Sequence, residues 1–448
     1  MKKLLIIPVL LAGIFFGLLG LAGVTPSYLF SAPGVATGIG SKLLCSARYV
    51  SGFSQEQAFD DLVQYSSILN QLSIDVDEGE KTVTTSLVGL STQTANYLPG
   101  IGCAVEYSGF EQRADLNIRD MSAKSGLAWP AGNDIGDQDA ELTDFLRERV
   151  RRDNTAGLNT RALLVVHQGA IVAEAYAQGA DADTPLLGWS MAKSLNSIML
   201  GNLEYQGRLD LNQSPGFVAW DSDQRSQIRV THMLTMTDGL AFSEEYDPGD
   251  DATAMLFTVP SSASYVLEKE ALRAPGSFFN YSSGTANLLS KLYQDTIGGT
   301  QEAYDEYLDT IHLPLGFQNA VFEMDASGTF VGSSYLYASA RDWARIGQLM
   351  LNGGTINGER IVTQNWIDRA TSPNDSLNQK AYGYQWWLNR GNNGLRWEDL
   401  PEDAYSAQGN RHQYLMVIPS LELVIVRLGW TAGPYPINGK FQQIIQAL

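Results

Sequence analysis

Residues 163–203 contain the pattern that most constrains the fold of this chain. An apolar run at residues 163–167 is followed by Gln168-Gly169 and by a second run at residues 170–176. Two such runs joined by a short turn containing glycine are typical of an antiparallel hairpin. After a loop rich in Asp, Gly and Pro, residues 190–203 carry apolar side chains at helical spacing. We therefore expect a hairpin that leads into a buried helix.

The start of this predicted helix carries Ser190 and Lys193 in an S-x-x-K arrangement. Side chains at positions i and i+3 lie on one helix face, so the amine would lie beside the hydroxyl. A serine becomes a good nucleophile when a neighbouring amine takes its proton or keeps another base active. The N-terminal end of a helix also favours an anion that forms during acyl transfer. We interpret Ser190 as a candidate nucleophile and Lys193 as its activating amine.

Tyr281 is a second candidate for chemistry. It follows a Pro-Gly turn and a short extended segment, and it precedes an apolar helical pattern at residues 285–293. An adjacent lysine cation favours the phenolate and lowers the pKa of a phenol. Tyr281 would then act as the general base on Ser190 and as the acid on the leaving group. The alternative is simple packing in a Phe-rich segment.

A strand near the C-terminus carries Gln408 and Gly409. Residues 404–410 and 412–418 are predicted to form neighbouring strand segments, and residues 423–428 the strand that returns after Pro419-Ser420. A strand with a small residue beside a cleft can direct a backbone N–H at a developing oxyanion. The alternative is an ordinary edge strand.

Other polar segments are predicted to have structural roles. The acidic loop at residues 242–251 is expected at the surface. His232 is interpreted as a helix-capping or packing residue, with a role as a base as the alternative. The histidines show no spacing typical of metal ligands, so we expect no metal and no cofactor; they are His167, His232, His312 and His412.

The N-terminus has the pattern of a targeting signal. Lys2-Lys3 precede an uncharged run at residues 4–24, and about 20 apolar residues are enough to span a bilayer. The positive-inside rule keeps the lysines in the cytoplasm. We expect either a cleaved signal peptide or, given the length of the run, a retained inner-membrane anchor. Either way, the body of the protein is expected on the periplasmic or extracellular side.

Cys45 and Cys103 fit this placement. An even pair of cysteines in an exported chain predicts a disulfide, with two buried free thiols as the alternative. We divide the chain into a signal or anchor at residues 1–26, an N-terminal extension at 27–126 and a main domain at 127–448. The extension carries no pattern that predicts a chemical role.

The composition limits the class of partner. The 448 residues include 49 Asp and Glu against 30 Lys and Arg, a net charge of −19. Nucleic acid and anionic membrane surfaces repel such a chain, so we expect no nucleic acid and no anionic membrane surface as a partner. An apolar fraction of 44% is ample for a large core.

Together these motifs resemble the serine β-lactamase and penicillin-binding-protein superfamily. The S-x-x-K comes first, a tyrosine motif follows 91 residues later (281 − 190), and a strand with glycine lies near the end. The chain is most similar to the branch of 6-aminohexanoate-dimer hydrolases and esterases. That similarity covers roughly residues 127–448 and is carried by residues 234–240, 279–285, 339–347 and 382–387.

The resemblance implies a fold, an activity and residue roles. The fold would be α+β, an antiparallel sheet flanked by helices with an inserted helical subdomain. The activity would be hydrolysis of a small-molecule ester or amide substrate through an acyl-enzyme. Ser190 resembles the nucleophile, Lys193 the tuning amine and Tyr281 the general acid/base. The backbone N–H of Ser190 and one from Gln408-Gly409 would form the oxyanion hole, and Tyr246 would line the substrate cleft.

Two departures from penicillin-recognising members favour an esterase or amidase. The second motif is Tyr-Ser-Ser instead of Tyr-x-Asn or Ser-x-Asn, and the third is Ala-Gln-Gly without the usual leading cation. A missing cation weakens recognition of the β-lactam carboxylate. The alternatives are a penicillin-binding cell-wall peptidase or β-lactamase, and a non-catalytic envelope protein that uses this fold for binding.

Overall fold

The structure is a computed structural model that describes residues 26–110, 113, 115–119 and 126–448. The predicted signal or anchor run at residues 4–24 lies outside the described part. Within that part, no helix combines the length and the apolar character needed to cross a bilayer. The predicted boundaries of the extension and the main domain stay predictions.

The N-terminal region is a long helix packed on a small antiparallel sheet. Helix α1 (Pro26–Tyr49) contacts the strands, which pair in the order β1-β2-β3-β4. Side chains alternate along β2, where Val83, Thr85 and Leu87 are buried, as a strand with one covered face requires. The other elements are α2 (Gln55–Val63), β1 (Ser73–Asp77), β2 (Thr82–Leu87), β3 (Ser91–Leu98) and β4 (Gly102–Val105).

A disulfide joins α1 to the small sheet, and polar contacts tie this region to the rest of the chain. Cys45 of α1 and Cys103 of β4 form the predicted disulfide. Next to it, Lys42 and Glu323 form a fully buried ion pair. The Glu323 carboxylate also accepts hydrogen bonds from Ser46 Oγ at 2.8 Å and from the backbone N–H of Cys103 at 2.7 Å. These bonds satisfy a carboxylate that would be costly to bury alone.

The main body is built on a six-stranded sheet in the order β12-β13-β14-β15-β5-β6, antiparallel throughout. A second, small sheet has the order β7-β9-β8, and β10 pairs with β11. The strands are β5 (Thr160–His167), β6 (Ala170–Tyr176), β7 (Leu186–Leu187), β8 (Val321–Phe322), β9 (Leu336–Ala338), β10 (Thr355–Ile356), β11 (Glu359–Arg360), β12 (Trp387–Leu388), β13 (Tyr405–Gly409), β14 (Gln413–Ile418) and β15 (Leu423–Gly429).

Helices cover the sheet and form most of the segment between the S-x-x-K region and the C-terminal strands. They are α3 (Ala140–Thr155), α4 (Ala192–Tyr205), α5 (Val230–Leu234), α6 (Asp251–Phe257), α7 (Ser262–Leu267), α8 (Ser283–Ile297), α9 (Thr300–Tyr307), α10 (Leu313–Leu315), α11 (Ala340–Leu351), α12 (Gln364–Ala370) and α13 (Ile437–Ile445).

Both faces of the six-stranded sheet are buried. On β5, Leu163 and Val165 belong to the core shared with α3 and α13. Leu164 and Val166 point the other way, into the core that contains α4 and α11. Because successive side chains of a strand alternate between faces, a strand covered on both sides must be apolar at nearly every position. This explains the unbroken apolar run, and the predicted hairpin is confirmed as β5 and β6.

The predicted fold class is confirmed. The chain is α+β, with an antiparallel sheet flanked by helices, and residues 206–335 contribute a mainly helical region between α4 and α11. The small sheet matters for chemistry because its strand β7 leads directly into Ser190.

Candidate active site

A tight turn presents Ser190. Strand β7 pairs with β9, and the N–H of Gly188 donates to the carbonyl oxygen of Leu336 at 2.9 Å. Residues Trp189–Met191 then form one 3₁₀ turn, and α4 starts at Ala192. Trp189 has a φ of +48°, in the left-handed region that residues with a Cβ seldom adopt. Ser190 therefore lies just before the helix, on a backbone held by β7, and not inside its first turn.

Lys193 is buried beside Ser190. Its Nζ lies 3.0 Å from Ser190 Oγ, 3.0 Å from Ser283 Oγ and 2.9 Å from the carbonyl oxygen of Ser333. The side chain is almost fully buried, and burial lowers the pKa of Lys193 to about 8, although the charge of Glu244 opposes this shift. A substantial fraction of the amine is thus neutral near pH 8.

The partners of Lys193 fix the direction of its lone pair. The carbonyl of Ser333 can only accept a hydrogen bond. The hydroxyl of Ser283 donates to Glu244, so it accepts from Lys193. Two N–H groups of the neutral amine are therefore committed, and the remaining direction leads to Ser190 Oγ. The protonated amine donates to Ser190 Oγ, and in the neutral amine the lone pair is left facing that hydroxyl.

Glu244 is part of the site, and the sequence did not reveal it. Its carboxylate accepts hydrogen bonds from the backbone N–H of Ser283 at 2.8 Å, from the Ser283 hydroxyl and from the Tyr246 hydroxyl at 2.7 Å. The prediction that loop 242–251 lies at the surface is therefore wrong for the side chains of Glu244 and Tyr246. The loop is folded inward because Asp250 accepts the backbone N–H groups of Glu245 and Tyr246.

Tyr281 lies beside Ser190 and Lys193, but its predicted pKa shift is wrong. Burial and the charge of Glu244 raise the pKa of the phenol above its usual range, while a hydrogen bond with Ser190 opposes this shift. Lys193 Nζ lies 4.9 Å from the centre of the Tyr281 ring. The ring is stacked on Trp387 with centroids 5.4 Å apart. Near neutral pH the phenol keeps its proton, so it can donate but cannot serve as the resting base.

The end of β13 lies against the turn that carries Ser190. A Cβ built on Gly409 would lie 2.0 Å from the carbonyl oxygen of Gly188, too close for any side chain. Glycine thus allows the two backbones to touch, and it brings Gln408-Gly409 beside Ser190. The contribution of the Gln408 and Gly409 backbone N–H groups to an oxyanion hole stays a prediction.

Tyr246 and the histidines take different positions. The hydroxyl of Tyr246 lies 3.4 Å from Ser283 Oγ, and its ring lines a cavity together with Trp189. Its contact with substrate stays a prediction.

His232 Nδ1 accepts the backbone N–H of Arg229 at 3.2 Å, which is the predicted capping role. Within the described residues, no group of three or more His, Cys, Asp or Glu is arranged to hold a metal.

The chain is similar in sequence to a family of known proteins and to one characterised relative. The sequence profile of the Beta-lactamase family matches residues 142–438. A 6-aminohexanoate-dimer hydrolase from Paenarthrobacter ureafaciens is 26% identical over 306 residues, which cover 61% of this chain and 74% of the relative.

Solved structures show the same fold. A Bacillus anthracis protein, provisionally named a 6-aminohexanoate-dimer hydrolase, superposes with a TM-score of 0.58 at 21% identity, covering 74% of this chain and 87% of its own. A family VIII carboxylesterase gives a TM-score of 0.55 at 14% identity, covering 70% and 99%. Because the family profile spans more than half of the chain, the chain belongs to the β-lactamase family and is a hydrolase of the serine β-lactamase type.

Proposed function

We propose that this protein hydrolyses an ester or amide in two steps through an acyl-enzyme on Ser190. The observation that carries the proposal is the position of Lys193 Nζ, 3.0 Å from Ser190 Oγ in a buried site that lowers its pKa to about 8. A buried amine that is partly neutral and directed at a serine hydroxyl is suited to remove its proton.

In the first step, the Lys193 amine takes the Ser190 proton while Oγ bonds to the substrate carbonyl carbon. The carbonyl electron pair moves to oxygen, where the N–H of Ser190 and an N–H of Gln408-Gly409 would stabilise the charge. Collapse of this intermediate breaks the bond to the leaving group, which takes the proton of Tyr281. The Lys193 ammonium then returns a proton to Tyr281. Water then releases the acyl group: the Lys193 amine takes a proton from water as the water oxygen bonds to the acyl carbon, and it returns that proton to Ser190 Oγ as the bond to the acyl group breaks.

This assignment changes one role predicted from the sequence. The phenolate of Tyr281 was expected to be the base, but the raised pKa of this phenol keeps it protonated at neutral pH, so that it holds a proton for the leaving group and is not the base. Lys193 becomes the base, which the S-x-x-K pattern had left open. The absence of a cation in Ala407-Gln408-Gly409 supports an esterase or amidase over a penicillin-recognising enzyme.

A fluorophosphonate probe tests the proposal, since it labels only activated serines. Wild type should be labelled and should turn over a short-chain nitrophenyl ester, and Ser190→Ala should do neither while keeping its fold. The matched control is Ser264→Ala, which removes an exposed serine and should be labelled like wild type. Unlabelled, folded wild type would favour the binding-protein alternative, and a covalent adduct with labelled penicillin would favour the penicillin-binding one.

We also propose that the protein is exported. Support comes from Lys2-Lys3 with the apolar run at residues 4–24, and the Cys45–Cys103 disulfide is compatible with an oxidising compartment. Cell fractionation followed by N-terminal sequencing tests this. A mature chain that starts near residue 26 indicates cleavage, and an intact N-terminus in the membrane fraction indicates an anchor. An intact chain in the cytoplasm contradicts export.

A further inference from the structure

An apolar cavity of about 260 Å³ lies between the N-terminal region and the candidate active site. Five side chains of α1 form one wall at the spacing of a single helix face; they are Tyr28, Ala32, Val35, Ala36 and Ile39. Tyr65, Ile68 and Leu69 form a second wall, and Phe257 contributes from α6. The extension, to which the sequence assigned no chemical role, therefore supplies most of this apolar surface.

Three of the residues that line the cavity are neighbours of the candidate active site, in sequence or in space. Trp189, which lines it, immediately precedes Ser190. Tyr246 lines it as well, and the hydroxyl of this tyrosine lies 3.4 Å from Ser283 Oγ. Asn410 lines it and directly follows Gly409 at the end of β13.

These neighbouring residues identify which half of a substrate the cavity would receive. The carbonyl carbon bonded to Ser190 would lie between the Ser190 turn and the end of β13, and the cavity lies beside both. Tyr281, the proposed donor to the leaving group, does not line the cavity and packs instead against Trp387 and Tyr382. The acyl part of the substrate thus has an apolar space, and the leaving group lies on the side of Tyr281.

We propose that this cavity is an acyl-binding subsite built by the N-terminal extension, and that it selects substrates with an uncharged, aliphatic acyl chain. The proposal rests on the acyl-enzyme function proposed above. Asp247, the acidic residue of the lining, is exposed at its rim and disfavours an anionic chain end. Burial of an apolar chain in a preformed cavity is favourable at each added methylene.

The wall is held in place well enough to act as a subsite. The buried Lys42–Glu323 ion pair attaches α1 to the body of the protein, and the disulfide attaches α1 to β4 of the N-terminal sheet. Farther along the extension, Trp430 Nε1 donates to the carbonyl oxygen of Asp61 at 2.9 Å. A preformed wall loses little freedom when an acyl chain binds.

Chain-length selectivity tests this subsite. The measurement is kcat/KM on nitrophenyl acetate, butyrate, hexanoate and octanoate. Complete burial of each added methylene should raise kcat/KM by about fourfold. Wild type should prefer hexanoate over acetate by at least about tenfold. Ala36→Phe fills the cavity and should abolish most of that ratio. Ile39→Ala enlarges the cavity and should move the preference towards octanoate.

Leu44→Ala is the matched control, because Leu44 is a buried residue of the same helix that does not line the cavity. This variant should keep the wild-type ratio, and thermal unfolding checks that each variant is folded. The same ratio in folded Ala36→Phe, Ile39→Ala and wild type overturns the subsite while leaving the hydrolase function intact. If fluorophosphonate does not label wild type and no ester is turned over, the proposed hydrolase function is wrong, and the proposed acyl subsite is then wrong as well.

Discussion

Glu244 holds Ser283 by two hydrogen bonds, one from the backbone N–H at 2.8 Å and one from the hydroxyl. The second bond determines which way the Ser283 hydroxyl points, and so which atom can accept from Lys193. Glu244 touches neither Ser190 nor Lys193, but through Ser283 it orients the Lys193 amine. Its charge also acts to raise the pKa of Lys193, against the larger effect of burial. We regard Glu244 as a positioning residue.

Glu244→Gln should move the pH profile of hydrolysis. Activity that needs neutral Lys193 rises with pH through the pKa of that amine, which is about 8. Removing the charge of Glu244 removes an influence that raises this pKa, so the acidic limb of kcat/KM should shift to lower pH. Glu245→Gln, an exposed neighbour, should leave the limb in place. A lower maximum with an unmoved limb would indicate a purely structural role for Glu244.

Lys193→Arg should abolish hydrolysis although it keeps the positive charge. A guanidinium stays protonated across the accessible pH range and cannot take the Ser190 proton. We expect kcat/KM to fall by at least about a thousandfold, within the range known for general bases. Lys291→Arg on α8, where the lysine forms an ion pair with Asp295, is the control and should retain activity. Substantial turnover by Lys193→Arg would return the role of base to Tyr281.

Tyr281→Phe should lower kcat by about a hundredfold to ten-thousandfold, the usual loss for a general acid. The ring and its stacking on Trp387 remain, so KM should change little. A nitrophenolate can leave without taking a proton, whereas an alkoxide leaving group needs one. The hydrolysis rate of nitrophenyl esters should therefore fall less than that of alkyl esters. Tyr384→Phe, the same change at a tyrosine that packs on Trp366, should be neutral. An equal loss on both ester types would argue against proton donation by Tyr281.

Gly409→Ala should displace β13 from the Ser190 turn, because the added Cβ would lie 2.0 Å from the Gly188 carbonyl oxygen. If this strand provides an oxyanion N–H, kcat should fall by about a hundredfold to a thousandfold. The control is Gly433→Ala, where an added Cβ meets no atom within 4 Å and activity should be unchanged. Unchanged kcat in Gly409→Ala would exclude this strand from the oxyanion hole.

Replacing both Cys45 and Cys103 by serine should destabilise the fold. The bond closes a loop with a sequence separation of 58 residues, and loss of such a crosslink costs about 2–4 kcal/mol of unfolding free energy. Chemical denaturation measures this, with reduced wild type as the comparison. Because α1 forms a wall of the proposed acyl subsite, selectivity should weaken along with stability. An unchanged unfolding midpoint would show that the crosslink does not stabilise the native state.

The motifs that could be recognised in the sequence were those carried by local pattern. The hairpin at residues 163–176 was predictable because a strand buried on both faces must be apolar along its length. Ser190 and Lys193 were predictable as neighbours because three residues of helical backbone place them together. The third motif was assigned only through its resemblance to the family pattern, from which Ala407-Gln408-Gly409 departs by its missing cation, and its role in the oxyanion hole stays a prediction.

Tertiary structure alone decided the electrostatics of the site and the shape of its cavity. The pKa of Tyr281 depends on burial and on Glu244, a residue 37 positions away along the chain. The sequence does not distinguish one acidic residue of loop 242–251 from another. Only the folded loop shows that Glu244 faces inward and Glu245 is exposed. The apolar cavity likewise needs α1 packed beside Trp189. Local pattern sets which elements form, because backbone geometry is short-ranged, whereas burial and charge depend on which distant residues the fold brings together.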